Sequence, residues 1–205
     1  MDTQPYEIVG QPLTLWLAPV ATAFPLIDAA PAAEWIKVGT SGDRNYSDQG
    51  VTVTHNQTIN KVRPAGSVGP RKAFRPDEDL MFGLTLWDVT LEQYAIALGH
   101  VATDAVATTA AGVGTAGFKK LGLSRGATIP EMALLARGVS PYGDGMAAQY
   151  EVPRCYQSAN PAPVYNKGVP AGIALQFEAL EDESAASDAE RFGRLIAQTA
   201  VALEE

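Results

Sequence analysis

The feature that most constrains this chain is a two-residue alternation of apolar side chains. Leu80, Phe82, Leu84 and Leu86 point to one side of an extended segment, while Met81, Gly83, Thr85 and Trp87 point to the other. A helix would scatter these residues around its axis, so the segment is a strand, largely covered on both faces. The period recurs twice. Ile173, Leu175 and Phe177 alternate with Gln176 and Glu178, and Met146, Ala148, Tyr150 and Val152 alternate with Gln149 and Glu151 in a strand expected over 146–155. Further strands are expected at 13–17, 34–38, 50–56 and 132–137. Between them lies turn chemistry at 39–43, 141–145 and 166–168, where glycine accepts positive φ at low cost. The sum predicts a mainly β fold, a sandwich or barrel of two packed sheets.

One helix interrupts this plan. Thr90 and Gln93 form a Thr-x-x-Gln capping box, Leu91, Tyr94, Ala95 and Leu98 share a face, and Gly99 suits a left-handed stop. This short helix is expected to cover one side of the sheet. A second capping box, Ser187 with Glu190, precedes Phe192, Leu195, Ile196, Thr199 and Leu203 at helical spacing, with Gly193 interrupting. The segment 182–205 is therefore either a helix or an extended arm that orders on a partner. Residues 18–33, rich in Pro and Ala, read as a linker behind an N-terminal strand. The expected organisation is an N-terminal strand or arm with its linker at 1–33, a β-sandwich domain at 34–181 with an insertion at 101–128, and a C-terminal arm or helix at 182–205.

Size and charge narrow the function. A chain of 205 residues suits one well-packed domain. Its net charge of -8 excludes broad capture of nucleic acid, which needs clustered cations. The single cysteine, Cys155, excludes an intramolecular disulfide and a Cys-rich zinc cluster. The first residues carry neither the basic start nor the apolar stretch of a signal peptide, and no run approaches the ~18 apolar residues of a membrane span, so folding in the cytoplasm is expected.

Motifs that could carry chemistry fail on context. The Gly-x-Gly-x-x-Gly pattern at Gly112, Gly114 and Gly117 follows an Ala/Thr-rich stretch where a dinucleotide site needs a buried strand. Residues 66–72 lack the Gly-Lys-Ser/Thr end of a phosphate loop. Cys155 has no local histidine base and reads as a buried strand cysteine, and His55 as a core or interface imidazole. No catalytic residue, metal ligand or cofactor is implied, and the chain reads as a non-enzyme. Two stretches instead suggest interaction. Residues 57–76 hold five cations, Lys61, Arg63, Arg71, Lys72 and Arg75, with no acid, and form a long basic loop. Residues 101–128 are an Ala/Thr/Gly-rich insertion with too little apolar bulk to pack alone.

The order of the pieces carries a family resemblance. Trp-Ile-x-Val-Gly at 35–39 precedes a strand, a long loop, Leu-Thr-Leu-Trp-Asp-Val at 84–89 and Thr-Leu-Glu-Gln-Tyr-Ala-Ile-Ala-Leu-Gly at 90–99. Ala-Leu-Leu-Ala-Arg-Gly at 133–138, Tyr-Glu-Val-Pro-Arg at 150–154 and a Phe-Glu-Ala-Leu segment at 177–180 follow. Over 34–195 this succession resembles the bacteriophage major tail tube proteins of long-tailed phages, with the 101–128 insertion and the N-terminal strand as departures. The resemblance implies a β-sandwich flanked by one helix, six copies of which close into a ring, with rings stacking into a tube that passes DNA without specific binding. It makes 57–76 the stacking loop between rings, with Glu181, Asp182, Glu183 and Asp188 as acidic counterparts. It also implies other tail proteins as partners (tape measure, terminator and distal tail), and a location in the virion tail after assembly in the host cytoplasm. A lumen that repels phosphate should be acidic, and Gln149, Glu151, Gln176 and Glu178 are the candidate lining residues. The alternatives are a tube subunit of a contractile tail or injection device, a tail terminator, and a ligand-binding β-sandwich using 101–128.

Overall fold

The alternating segment at 80–86 is the inner end of a strand much longer than its apolar part. The computed structural model describes residues 11–100, 106–141 and 145–200. In chain order its strands are β1 (Thr14–Pro19), β2 (Ile36–Lys37), β3 (Thr52–Val62) and β4 (Lys72–Leu86), then helix α1 (Leu91–Ala97), then β5 (Val106–Thr109), β6 (Phe118–Leu121), β7 (Met132–Val139), β8 (Ala147–Gln157), β9 (Ile173–Ala179) and β10 (Arg194–Ala197). An eight-stranded antiparallel sheet runs β2-β1-β7-β8-β9-β4-β3, with β10 added to β8, and β5 and β6 form a separate hairpin. The fold is mainly β with one α-helix, as the alternation predicts.

Strand β8 turns the corner between two halves of the large sheet. Its first part pairs with β7 and β10, and its last three residues pair with β9. The register with β7 slips between Met132 and Leu134, opposite the stretch containing Pro153. Proline has no N–H to give a ladder, so a bulge is where it is tolerated, and the bulge bends the strand. The halves then share one core. Leu15, Leu17 and Leu134 from one half meet Phe82, Leu84, Leu175 and Phe177 from the other in a single buried cluster, a sandwich-like arrangement. Each such side chain contributes roughly 1.5–3 kcal/mol when fully buried.

Tyr46 pins the halves together. It bridges to Leu86, its hydroxyl donates to the Val38 carbonyl at 2.8 Å, and it accepts from the Leu15 N–H at 3.1 Å. Burial pushes its hydroxyl well above the ordinary tyrosine range. Removing only this oxygen, in Tyr46→Phe, leaves two main-chain groups without their partner and is expected to cost about 2 kcal/mol. Urea denaturation checks this, and an unchanged midpoint would contradict the bonding.

Helix α1 starts as expected, with Thr90 Oγ1 accepting from the Gln93 N–H at 3.3 Å, and Gly99 takes φ 88° at its end. The capping box is not reciprocal. Gln93 turns its side-chain oxygen to the Gly39 N–H at 2.8 Å, so the helix is tied to the turn after β2.

Four expectations need correction. The N-terminal strand is no arm, because β1 lies between β2 and β7 inside the sheet. The 18–33 segment is no free linker: it lies over the outer face of β1 and β7, where Phe24 and Trp35 stack 5.2 Å apart and Trp35 donates to the Ala23 carbonyl. Residues 57–76 are mostly strand, since Thr, Ile, Asn, Lys and Val continue β3 and the chain breaks only around Pro64 and Pro70. The C-terminal helix is absent from the described residues. A short 3-10 turn at Asp188–Glu190 is followed by strand β10, because Gly193 adopts φ 118° and a Cβ there would stand 2.1 Å from the Glu151 carbonyl oxygen. Leu203 and the rest of 201–205 lie outside the described residues, as do 101–105 and 142–144.

Candidate functional site

The β3–β4 hairpin is half core and half projection. Near its base Val53 faces Phe82 and His55 faces Leu80, which closes the edge of the sandwich. Beyond Met81, β4 has lost β9 as a neighbour and pairs with β3 alone. At ~3.4 Å per residue this free part of β4 runs about 30 Å. Every residue from 55 to 79 is exposed except Ser67, which is half-buried. His55 is therefore a surface side chain in the single chain, which removes the core alternative and leaves the interface one.

Sequence places the cations at the far end. Lys61 pairs with Ala73 and Lys72 with Val62 across the ladder, while Arg63 and Arg71 flank the tip, where the Arg71 N–H donates to the Val62 carbonyl at 3.0 Å. The register slips between Thr58 and Asn60, opposite the stretch containing Pro76, again a bulge at a residue without an N–H. Arg75 sits there, donating to Gln57 Oε1 at 2.8 Å and pairing with Glu78 at 3.1 Å. Asp77, Glu78 and Asp79 make the root acidic. The other four cations have no ion-pair partner among the described residues. Four bulky apolar side chains, Ile59, Val62, Val68 and Phe74, are exposed on the same ribbon. Isolated exposed apolar residues are ordinary, but a two-stranded ribbon with no core beneath it that combines them with unpaired cations is built for contact.

The candidate lining residues divide. Gln149 and Glu151 are 1% and 3% exposed, so they line no open surface. The 18–33 segment and β10 cover them: Gln149 donates to the Pro25 carbonyl at 3.1 Å and bonds Glu151, and Glu151 pairs with Arg194 of β10 at 2.7 Å. Arg137 completes this layer, donating to Gln149 at 2.9 Å and to the Leu26 and Ala29 carbonyls, and burial lowers its pKa. Gln176 and Glu178 stay half-buried on the outer face of β9. Sequence reasoning missed Arg137 and Arg194, and the signal lay in two polar residues two apart on a strand, which need partners once covered.

Three of the four proposed acidic counterparts are engaged within the chain. Glu181 and Asp188 both pair with Arg191, and Asp182 accepts from the Ser184 N–H and hydroxyl, which lowers its pKa. Cys155 is buried, and burial pushes its thiol far above the ordinary range, which opposes thiolate formation. Gly112 and Gly117 belong to the turn between antiparallel β5 and β6, not to a strand-to-helix turn, so that geometry cannot cradle a dinucleotide. The hairpin they close leans on α1 through Lys119 and Glu92. Among the described residues no cluster of His, Cys, Asp and Glu could hold a metal, and no helix is long and apolar enough to cross a membrane.

No protein-family model matches the chain, and no curated protein matches it.

Proposed function

We propose that the chain is a structural assembly subunit, forming homohexameric rings that stack into the hollow tail tube of a long-tailed phage. The observation that carries this reading is the projecting ribbon: five cations and four exposed apolar side chains on two strands with no core of their own. Outside 57–76 the chain holds the remaining ten cations against all 23 acids, three of which, Asp77, Glu78 and Asp79, stand at the root of the ribbon. A positive arm on a negative body favours docking onto another copy, which neutralises both. Self-association through such an arm is repeated head to tail, and a head-to-tail interface generates rings or filaments.

In this reading the ribbon reaches the adjacent ring, further tail proteins cap or fill the tube, and DNA crosses the lumen without a specific contact. Any lining role falls to Gln176 and Glu178. Negative-stain electron microscopy of the purified chain at raised concentration tests the proposal. Hollow fibres with a regular axial repeat are expected, and a persistent monomer at every concentration and salt would overturn it.

A further inference from the structure

A cleft of about 290 Å³ opens between the end of α1, the segment 125–130 and the end of β8, lined by Leu98, Arg125, Ile129, Pro130, Tyr156 and Gln157 among others. Two of its groups have unspent donor capacity. Arg125 donates only to neutral oxygens, the carbonyls of Ala97 (3.3 Å) and Ala159 (2.7 Å), Gln157 Oε1 (2.9 Å) and Asn160 Oδ1 (3.4 Å). No acid pairs with it among the described residues, and its Nε–H engages no acceptor there. Gln157 is 93% buried by its 7% exposure, and its side-chain nitrogen has no hydrogen-bond partner among the described residues. The amide cannot simply be turned around, because Arg125 has only donors and must face the oxygen. A buried amide nitrogen without an acceptor is destabilising, so its retention beside an uncompensated guanidinium calls for an incoming acceptor.

We propose that this cleft binds a carboxylate attached to a small apolar group. The carboxylate meets the Arg125 guanidinium, whose planar fork matches it, and takes a bond from the Gln157 amide. The apolar part lies against Leu98, Ile129, Pro130 and the Tyr156 ring. Gln157 lines the cleft, and the soft terminal torsion of glutamine lets its amide adjust toward the bound oxygen while its own oxygen stays on Arg125. Glu178 adjoins Tyr156 and, after burial, raises its hydroxyl pKa, so acid already occupies the Tyr156 side and the anion belongs at the Arg125 end. The volume limits the guest to something small, at the lower end of the ~300–1,000 Å³ of ordinary ligand pockets. The carboxylate comes from a free organic acid or from an Asp or Glu side chain of a second copy.

Benzoate is the probe for the first source. Titrated into the ¹⁵N-labelled full chain kept monomeric, it is expected to shift the Gln157 side-chain amide signals and the backbone signals of 125–130, with benzamide at least tenfold weaker. Dilution of the same chain without benzoate probes the second source, since a protein carboxylate would shift the same signals with concentration alone. Gln157→Glu keeps an acceptor for Arg125 and so preserves the fold, but it removes the donor and neutralises the cation. It should weaken either response at least tenfold, and Arg125→Gln, at an exposed position, should do the same. If Gln157 responds to neither benzoate nor concentration, or if the two variants respond as wild type does, the proposal is wrong. The benzoate arm reads the monomer, so its outcome is independent of whether rings form.

Discussion

Changing Arg71 and Lys72 together to glutamate is expected to abolish self-association while leaving the thermal midpoint of the single chain within about 2 °C of wild type. The small thermal effect follows from exposure. Both side chains stand on a ribbon with no core beneath them, and surface changes of this kind stay within ~0.5 kcal/mol, or about 2 °C for a domain of this size. The large association effect follows from the charge pattern. Reversal sets two new acids against a body that carries nearly all the chain's carboxylates, and like charges brought together at an interface cost several kcal/mol. A loss of ~3 kcal/mol raises the concentration needed for assembly by roughly 100-fold. Sedimentation velocity across a concentration series reads this. The control is Lys37 with Lys167, both exposed and off the ribbon, changed in the same way. Equal loss in the control would assign the effect to net charge and remove the ribbon from the interface. Salt offers a second reading, because exposed charges are screened over ~8 Å at physiological ionic strength and over ~3 Å at 1 M. Phe74→Ser should weaken assembly at both, since its apolar surface is not screened.

How far this ribbon was legible shows what a sequence does and does not display. The Leu80, Phe82, Leu84 and Leu86 alternation identified a core strand, and all four side chains are buried. Its continuation outward was hidden, because Pro64, Gly66, Gly69, Pro70 and Pro76 made 57–76 look like loop throughout. Only the first four of these lie between the strands, at 64–70, and Pro76 sits by a bulge that lets the strand continue. A breaker ends a strand only where its missing N–H was needed, and that depends on a partner strand the sequence does not name. The exposure of the five cations was legible, since exposure of lysine and arginine is the rule.

The same limit explains the candidate lining residues. Alternation put Gln149 and Glu151 on the opposite face from Tyr150 and Val152, which is correct. It could not say that the opposite face is also covered, because the cover comes from Pro- and Ala-rich residues at 18–33 and from a strand that carries helical spacing in its sequence. In the C-terminal segment the residues favour a helix locally, yet Gly193 at positive φ and the open edge of β8 settle it as strand. Tertiary pairing overrides propensity there.

Glu151→Lys and Glu178→Lys should therefore behave in opposite ways, although both are acids that alternate on neighbouring strands. At 151 the new ammonium would sit 97% buried beside Gln149, next to the guanidinium of Arg194 and in the same layer as Arg137. Removing one member of a buried pair and adding a like charge costs 3–5 kcal/mol in general. Arg194 is half exposed and can turn to water or to Glu190, so the expected loss is about 3 kcal/mol, or ~6–12 °C in thermal midpoint. The first local event should be release of β10, because Arg194 pairs through Glu151 and Gly193 packs against its main chain. Amide exchange at 194–197 will report it ahead of global unfolding. At 178 the side chain is half exposed on β9, and the same substitution should leave the midpoint unchanged within ~0.5 kcal/mol. A Glu178→Lys chain that folds normally and assembles normally, yet slows the passage of DNA through the finished tube, would place β9 on the lumen. If Glu151→Lys proves as stable as wild type, the covered polar layer of Gln149, Glu151, Arg137 and Arg194 does not hold the C-terminal strand.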